Sequence, residues 1–500
     1  MANKTTEQTT ARPNFDNVDH MLDVVTEANK DWCTVYDCVM GQRAVKDAKE
    51  KYLPKPVRSD DPKQDEDRYG PYVQRAVFHN VTGRTLRGLV GQVFSEEPEV
   101  QVPRSLQPTV DNITGSGISL QQQARKALSF NLSFGRGGLL ADFPTTEGDT
   151  PVTKQQLNEG EVRPTISLYS PQSIINWDTK EVGATTILCL VVLKERVSRR
   201  KAGDLFEEET ITQYRVLRLN EEGQYEQWIV EHDDKNKVTG PLSVQDGTGE
   251  PMTRIPFTFI GSENNDSTID PAPILDIANL NIAHYRNSAD FEESVFVSGQ
   301  PTVWVSGLTE QWNENVLKGK VNLGALGGLP LPRDAQAGLL QAQPNTLVSA
   351  AMEHKERQMV ALGAKLVEES SRTMTATEAR QNEAAETSVL KSAANNVSAA
   401  YQQALEWAGG FIKETGTIVF KLNNDFEVSR MSPEDRKQTI AEWQSEAISF
   451  TELRNRFRKG GVATLEDEDA LDEIAANPPI TVPTDTPPGN NPKEEEETEE

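Results

Sequence analysis

Ile255-Pro-Phe-Thr-Phe-Ile-Gly261, Asp270-Pro271 and Ile277-Ala-Asn-Leu-Asn-Ile-Ala-His-Tyr-Arg-Asn-Ser-Ala-Asp290 make up the stretch on which the fold turns. Before it, from Gly135 to Ile260, apolar residues tend to recur at every second position. After Pro271 they recur at every third or fourth, at Ile274, Ala278, Ile282, Tyr285, Ala289 and Phe296. A period of two belongs to a strand with one covered face, and a period near 3.6 to a helix with one apolar stripe. The architecture therefore changes here, and Pro271 stands where proline is tolerated in a helix's first turn. The predicted helix is about 28 residues long, about 40 Å at 1.5 Å per residue.

Upstream, residues 138–142, 165–169, 186–193, 210–219 and 224–231 suit strands, with Asn220-Glu-Glu-Gly223 and residues 233–237 as turns. Before them the chain reads as helical. One helix is predicted over 18–51, with Met21, Val24, Val25, Ala28, Trp32, Val35 and Val39 in one stripe and Pro54 as its stop. A loop is expected over 55–67, a second helix over 70–93 and a third over 119–134. Downstream of the long helix, residues 301–305 read as a strand, 308–317 as a short helix, and 321–331 and 338–341 as strands. Val348, Met352, Met359, Leu362 and Leu366 then form a new helical stripe. A break at Thr373-Met-Thr-Ala-Thr377 precedes a helix predicted over 378–413, a strand over 420–428 and a small helical segment over 432–477. The first 15 residues are polar, and 478–500 hold six prolines and end in an acidic run, so both ends are expected to be disordered. The fold class is α+β, predominantly helical.

The 500 residues carry 51 basic and 77 acidic side chains, a net charge of −26. Proteins that grip duplex DNA neutralise phosphates with Lys and Arg, so this balance excludes a generic nucleic-acid clamp. The longest apolar run, Ile187 to Leu193, is far short of the ~20 residues a membrane-spanning helix needs, and no membrane partner is expected. The opening residues lack the apolar core of a signal peptide, which points to a cytoplasm as the place of synthesis. Cys33, Cys38 and Cys189 show neither zinc spacing nor a disulfide framework and read as ordinary thiols. None of the five histidines lies in a catalytic motif. Gly135-Arg-Gly-Gly138 has no following GK[ST] and reads as a tight helix-to-strand turn. Gly324-Ala-Leu-Gly-Gly328 lacks dinucleotide-binding spacing. Asp65-Glu-Asp67 and Glu466-Asp-Glu-Asp469 lack the pattern of a calcium loop. The reading is no enzyme, no cofactor and no metal.

The remaining signal is the order of elements: an α+β region, a long helix, a β-containing excursion of about 45 residues, a returning helix, a polar break and another long helix. That order resembles the portal proteins of tailed bacteriophages. The stretch from Ile255 to Asp290 resembles the approach to the first stem helix in that family. Arg163-Pro-Thr-Ile-Ser-Leu-Tyr169 with Ile174-Ile-Asn-Trp177, and Met374-Thr-Ala-Thr-Glu378 after a stem helix, fit the same pattern. So do Leu89-Val-Gly-Gln-Val-Phe-Ser-Glu-Glu-Pro98 and Gly137-Gly-Leu-Leu-Ala-Asp-Phe-Pro144. The resemblance spans about residues 20–475.

The resemblance implies a portal-type fold with a wing over 16–269, a first stem helix over 270–298, a clip over 299–345 and a second stem helix over 346–364. A tunnel loop over 365–377, a long wing helix and strand over 378–431 and a crown over 432–477 would follow. It implies a homo-oligomeric ring of twelve at one capsid vertex, assembled in the host cytoplasm, with double-stranded DNA passing through without sequence specificity. The terminase large subunit, the head-tail connector and the major capsid protein would be its partners. Lys365, Glu368, Glu369, Arg372, Thr373 and Thr375 would face the DNA channel, and Trp304, Trp312, Lys318, Lys320 and Arg333 would belong to the docking surface of the clip. An acidic bore repels phosphates from every side and keeps friction low. A different class also fits the charge: an acidic scaffold or adaptor of a virion or cytoplasmic assembly, without a channel. A metal-dependent enzyme would need a cluster of Asp, Glu and His that the sequence does not assemble.

Overall fold

The structure, a computed structural model, describes residues 13–56, 62–143, 162–201, 203–231, 237–299, 302–312, 331–340, 346–366, 388–424, 433–445 and 447–459, with isolated positions at 314, 426, 462–463, 465, 470, 473 and 476. It is a mixed helix-and-strand structure of two compact units, Met1–Asn424 and Asp425–Glu500.

The larger unit opens with helices α1 (Asp23–Met40), α2 (Gln42–Asp47), α3 (Pro62–Arg75) and α4 (Val81–Val93), the short strand β1 (Glu99–Gln101), and helices α5 (Gln107–Asp111) and α6 (Leu120–Phe134). The single helix expected over 18–51 is broken at Gly41, which has φ +93°. A Cβ on Gly41 would lie 2.9 Å from Asn80 Nδ2. Asn80 in turn caps α4, its Oδ1 accepting from the Gly83 amide at 2.7 Å. The helix expected over 70–93 is likewise two helices, and α3 begins at Pro62, inside the expected loop. The third helix holds as read: Ser119 and Gln122 form a reciprocal capping box, and Gly135 ends the helix in the left-handed region. Of Gly135-Arg-Gly-Gly138, expected to be a tight turn, only Gly135 turns the chain, and Arg136–Gly138 already belong to the strand that follows, paired with Gly261, Ile260 and Phe259.

Strands β2 (Arg136–Asp142), β3 (Thr165–Tyr169), β4 (Ile174–Val182), β5 (Thr185–Arg200), β6 (Glu208–Leu219), β7 (Tyr225–Glu231), β8 (Lys237–Ser243) and β9 (Phe257–Gly261) form two antiparallel sheets. One has the order β3-β2-β9, the other β4-β5-β6-β7-β8. Strands β4, β8 and β9 are additions to the sequence reading, and β5 extends to Arg200. In β4 only Ile174 and Ile175 are buried, so the strand offers little alternation to read. The second sheet has its own core of Ile175, Val192, Val216, Trp228 and Val230. Phe15, expected within the disordered first fifteen residues, packs on it, its ring 5.3 Å from Trp228. Burial of an aromatic ring offsets the cost of ordering that short segment.

Helix α7 (Leu275–Ser298) is followed by β10 (Thr302–Ser306), the short α8 (Glu310–Trp312), β11 (Gln336–Leu340), α9 (Thr346–Lys365), α10 (Val389–Phe411) and β12 (Val419–Lys421). Helix α7 starts four residues beyond Pro271 because Asp270-Pro271 is used in a turn. The Asp270 carboxylate accepts from the amides of Glu263 and Asn264 at 2.7 and 3.0 Å, and the Pro271 carbonyl accepts from Ser262 Oγ at 3.0 Å. Strand β12 pairs with β1, and β10 with β11, both antiparallel. Helix α10 is capped by Ser388 and lays Ala393, Val397, Ala400, Ala404 and Ala408 inward, small side chains that let it pack close to β2 and β9. The helix start expected at 378, the break 373–377 and residues 321–330 of the expected strand lie outside the described residues; Leu331 is not in a strand, and the helix expected to run unbroken to 413 is interrupted at Ser388, which is extended with ψ 151° and caps α10. No described helix is long and apolar enough to cross a membrane.

In the second unit α11 (Pro433–Gln444) and α12 (Phe450–Lys459) pack through Trp443 and Phe450, with Arg456 Nη1 2.5 Å from Glu442. Ser449 and Glu452 cap α12 reciprocally. The tail 478–500 lies outside the described residues.

Candidate functional site

The helix pair α7 and α9, with the hairpin β10/β11 between them, holds every described candidate residue. The base of α7 is fastened by polar side chains that interrupt its apolar stripe. Buried Asn281 accepts through Oδ1 from the amides of Val81 and Thr82 and from Thr82 Oγ1, at 3.0 to 3.2 Å, and donates through Nδ2 to the His79 carbonyl at 2.8 Å. It therefore satisfies two first-turn amides of α4, which have no partner within that helix. Ser288 accepts from the Val77 amide at 2.8 Å and donates to its carbonyl at 2.7 Å. Tyr72 donates to Asp290 at 2.6 Å, and Arg75 pairs with Glu293.

Helix α9 returns beside α7. His284 Nε2 and Glu356 Oε1 are 3.1 Å apart, and His79 Nδ1 lies 3.8 Å from the same oxygen. Burial holds the His284 imidazole below its ordinary 6.5, against the opposing hydrogen bond and charge of Glu356. Further along α9, a Cβ on Gly363 would be 3.3 Å from Thr85. The carboxyl end of α9 thus runs toward the amino end of α7, so the helices are antiparallel.

Of the six channel candidates, Lys365 is described: it is exposed in the last turn of α9. Beside it the Leu366 carbonyl accepts from the Leu390 amide at 3.1 Å, so the chain leaves and returns at one place. Glu368, Glu369, Arg372, Thr373 and Thr375 lie outside the described residues. Among the clip candidates, Trp304 is on β10, opposite Gly338 of β11, and 43% exposed. Its Nε1 stands 2.9 Å from where a Gly338 Cβ would be, so the indole lies across the glycine. Arg333 is exposed in the turn before β11, a turn whose Asp334 carbonyl would be 3.1 Å from a Gly307 Cβ. Trp304 and Arg333 therefore share one hairpin. Trp312 is half-buried on α8, and Lys318 and Lys320 lie outside the described residues. Lys365 is at the far end of α9 from the hairpin, about 30 Å away along a 20-residue helix.

The sequence reading passed over Asn281, Ser288 and Glu356. The available signal was polar: Asn281 sits between Ala278 and Ile282 on an otherwise apolar stripe, the place where a side chain is forced to find partners. No group of three or more His, Cys, Asp or Glu side chains that could hold a metal occurs among the described residues.

Residues 273–412 match the model of a family described as Domain of unknown function (DUF4055), a segment that runs from the approach to α7 to the end of α10. No curated protein matches the chain. Among solved structures the chain is similar to one described as "Neck of native GTA particle computed with C12 symmetry", with 12% identity, 75% of this chain and 88% of that chain covered, and a TM-score of 0.39. A second, "Neck of empty GTA particle computed with C6 symmetry", shows 13% identity, 77% and 91% coverage and a TM-score of 0.38. At these values the likeness carries no functional argument.

Proposed function

We propose that this chain is a portal subunit: about twelve copies close into a ring at one capsid vertex, and double-stranded DNA is packaged and ejected through the bore. The observation that carries the reading is the state of α9. Among its described side chains only Met359 is buried, while Leu347 and Val360 are 79% and 69% exposed. A 20-residue helix that buries one side chain in its own subunit gains little from tertiary packing, which is where most helical stability comes from. Cover from the same helix pair of a neighbouring copy supplies what is missing.

In this reading α7 and α9 are the stem, residues 299–345 the clip, 365–377 the tunnel loop, 16–269 with 378–431 the wing, and 432–477 the crown. The clip, with Trp304, Trp312, Lys318, Lys320 and Arg333, docks the terminase large subunit during packaging and the head-tail connector afterwards. The major capsid protein surrounds the ring in the virion. Lys365 and Arg372, beside Glu368 and Glu369, make the few phosphate contacts at the constriction. A net charge of −26 per subunit keeps DNA from sticking, since each neutralised phosphate would add a strong, salt-dependent term to affinity.

The test is negative-stain electron microscopy with native mass measurement of the purified protein. Closed rings with a central hole, near 12 × 55.4 ≈ 665 kDa, are expected. Monomers or dimers alone at micromolar concentration would overturn the portal reading and leave the acidic scaffold.

A further inference from the structure

The longest ribbon of the second sheet ends in an apolar tip that no described residue of its own subunit covers. Strand β4 pairs with β5 only as far as Leu193, and β7 pairs with β6 only from Gln213. Among the described residues Arg196–Arg200 and Glu208–Thr212 pair only with each other, forming a two-stranded arm. At its end Leu205 and Phe206 are 81% and 90% exposed. The tip is built to present them. Asp204 Oδ1 accepts from the amides of Phe206 and Glu207 at 2.7 and 3.1 Å, Arg200 donates to the Phe206 carbonyl at 3.0 Å, and Lys201 pairs with Glu207 at 3.0 Å. An aromatic side chain held in water by so many local bonds is a costly surface unless something covers it.

At the other end of the same strand is a cleft of about 330 Å³, lined by Ile187, Phe257, Phe259 and Trp407 together with the exposed Arg254 and Asp266. Ile187 and Arg200 are 13 residues apart along β5, about 40 Å at ~3.3 Å per residue, so a tip cannot reach the cleft of its own subunit. Lys201 and Glu207 are already paired with each other within the tip, which leaves Arg200 and Asp204 at its edge, and these would face Asp266 and Arg254 of a neighbouring cleft. A knob and a hole at separate places on one molecule make a head-to-tail contact, the kind that repeats around a ring when the rotation between copies closes.

We infer that the Leu205–Phe206 tip of one copy seats in the Ile187–Phe259–Trp407 cleft of the next. The inference rests on the ring reading and names one of its contacts. Its test is disulfide trapping in the full chain: Leu205→Cys with Thr186→Cys, which lines the cleft, in a Cys189→Ser background under mild oxidation. A ladder of bands at multiples of 55.4 kDa is expected, reversed by reductant and absent from either single variant. A lone monomer band overturns the inference. Leu205→Asp with Phe206→Asp gives the second readout, with at least a tenfold weaker assembly and an unchanged melting temperature expected. Unmodified chain that forms rings, with no ladder and with undiminished assembly of the Asp variant, would sink the tip contact and leave the ring standing. Absence of rings from the unmodified chain together with absence of a ladder would sink both.

Discussion

Asn281 shows how much one side chain can hold. Its carbonyl oxygen takes three donors from residues 81 and 82, and its amide serves the His79 carbonyl. Truncation to alanine leaves the buried Thr82 amide and hydroxyl without this acceptor, each costing about 1–3 kcal/mol, while the Val81 amide and the His79 carbonyl keep their own bond at 2.8 Å. Asn281→Ala should therefore lose about 3 kcal/mol in urea unfolding of the larger unit, with α4 the first segment to lose amide protection; a loss under 1 kcal/mol would mean that water fills the gap. His284, one turn on, sets a pH response. Burial keeps its imidazole neutral below the ordinary 6.5, so between 6.5 and that lower value the unfolded chain binds a proton that the folded chain does not. Stability from this group is complete above pH 6.5 and falls as the pH drops through that window. His284→Gln should flatten the fall of the urea midpoint between pH 8 and pH 5, and an unchanged slope would assign it to other groups.

At the scale of elements, the end of α6 meets the turn before α7 backbone to backbone. Gly135 closes α6 with φ +66°, and a Cβ there would stand 2.4 Å from the Pro271 carbonyl and 2.5 Å from that of Asp270. Gly183, in the turn between β4 and β5, has nearly the same φ of +65° with nothing within 4 Å. The pair separates conformational strain from contact. Gly183→Ala should cost about 1 kcal/mol, the strain of a left-handed residue alone. Gly135→Ala should cost well over twice that, because two carbonyls must move and they lie in the turn that leads into α7. Equal losses in thermal melting would show that the turn at 270–271 yields easily.

For the whole molecule the acidic tail is the part that folding and the proposed assembly should not need. The tail 478–500 has six prolines and a net charge of −6, seven acidic residues against Lys493, with few apolar residues to bury. It cannot offset an ordering cost of ~1–2 kcal/mol per residue, so its deletion should leave melting temperature and ring formation unchanged. A melting temperature lowered by several degrees, or broken rings in micrographs, would mean the tail is docked.

Periodicity and local chemistry determined a large part of this chain by themselves. Ser119 with Gln122 and Gly135 bound α6, alternation marks β3 and β6, and the 3.6 period from Ile274 to Ala289 marks α7, because each of these signals acts between residues within about four positions of one another. The charge of −26 likewise needs no structure to exclude a DNA clamp. The tertiary structure decided the rest. Gly41 breaks the first helix beside Asn80, Pro271 is drawn into a turn under Gly135, Asn281 becomes the anchor of α4, and Phe15 is ordered against Trp228. Each of these joins residues between 39 and 213 positions apart, as from Gly41 to Asn80 and from Phe15 to Trp228, and which of them meet depends on how the packed faces fit rather than on any local pattern.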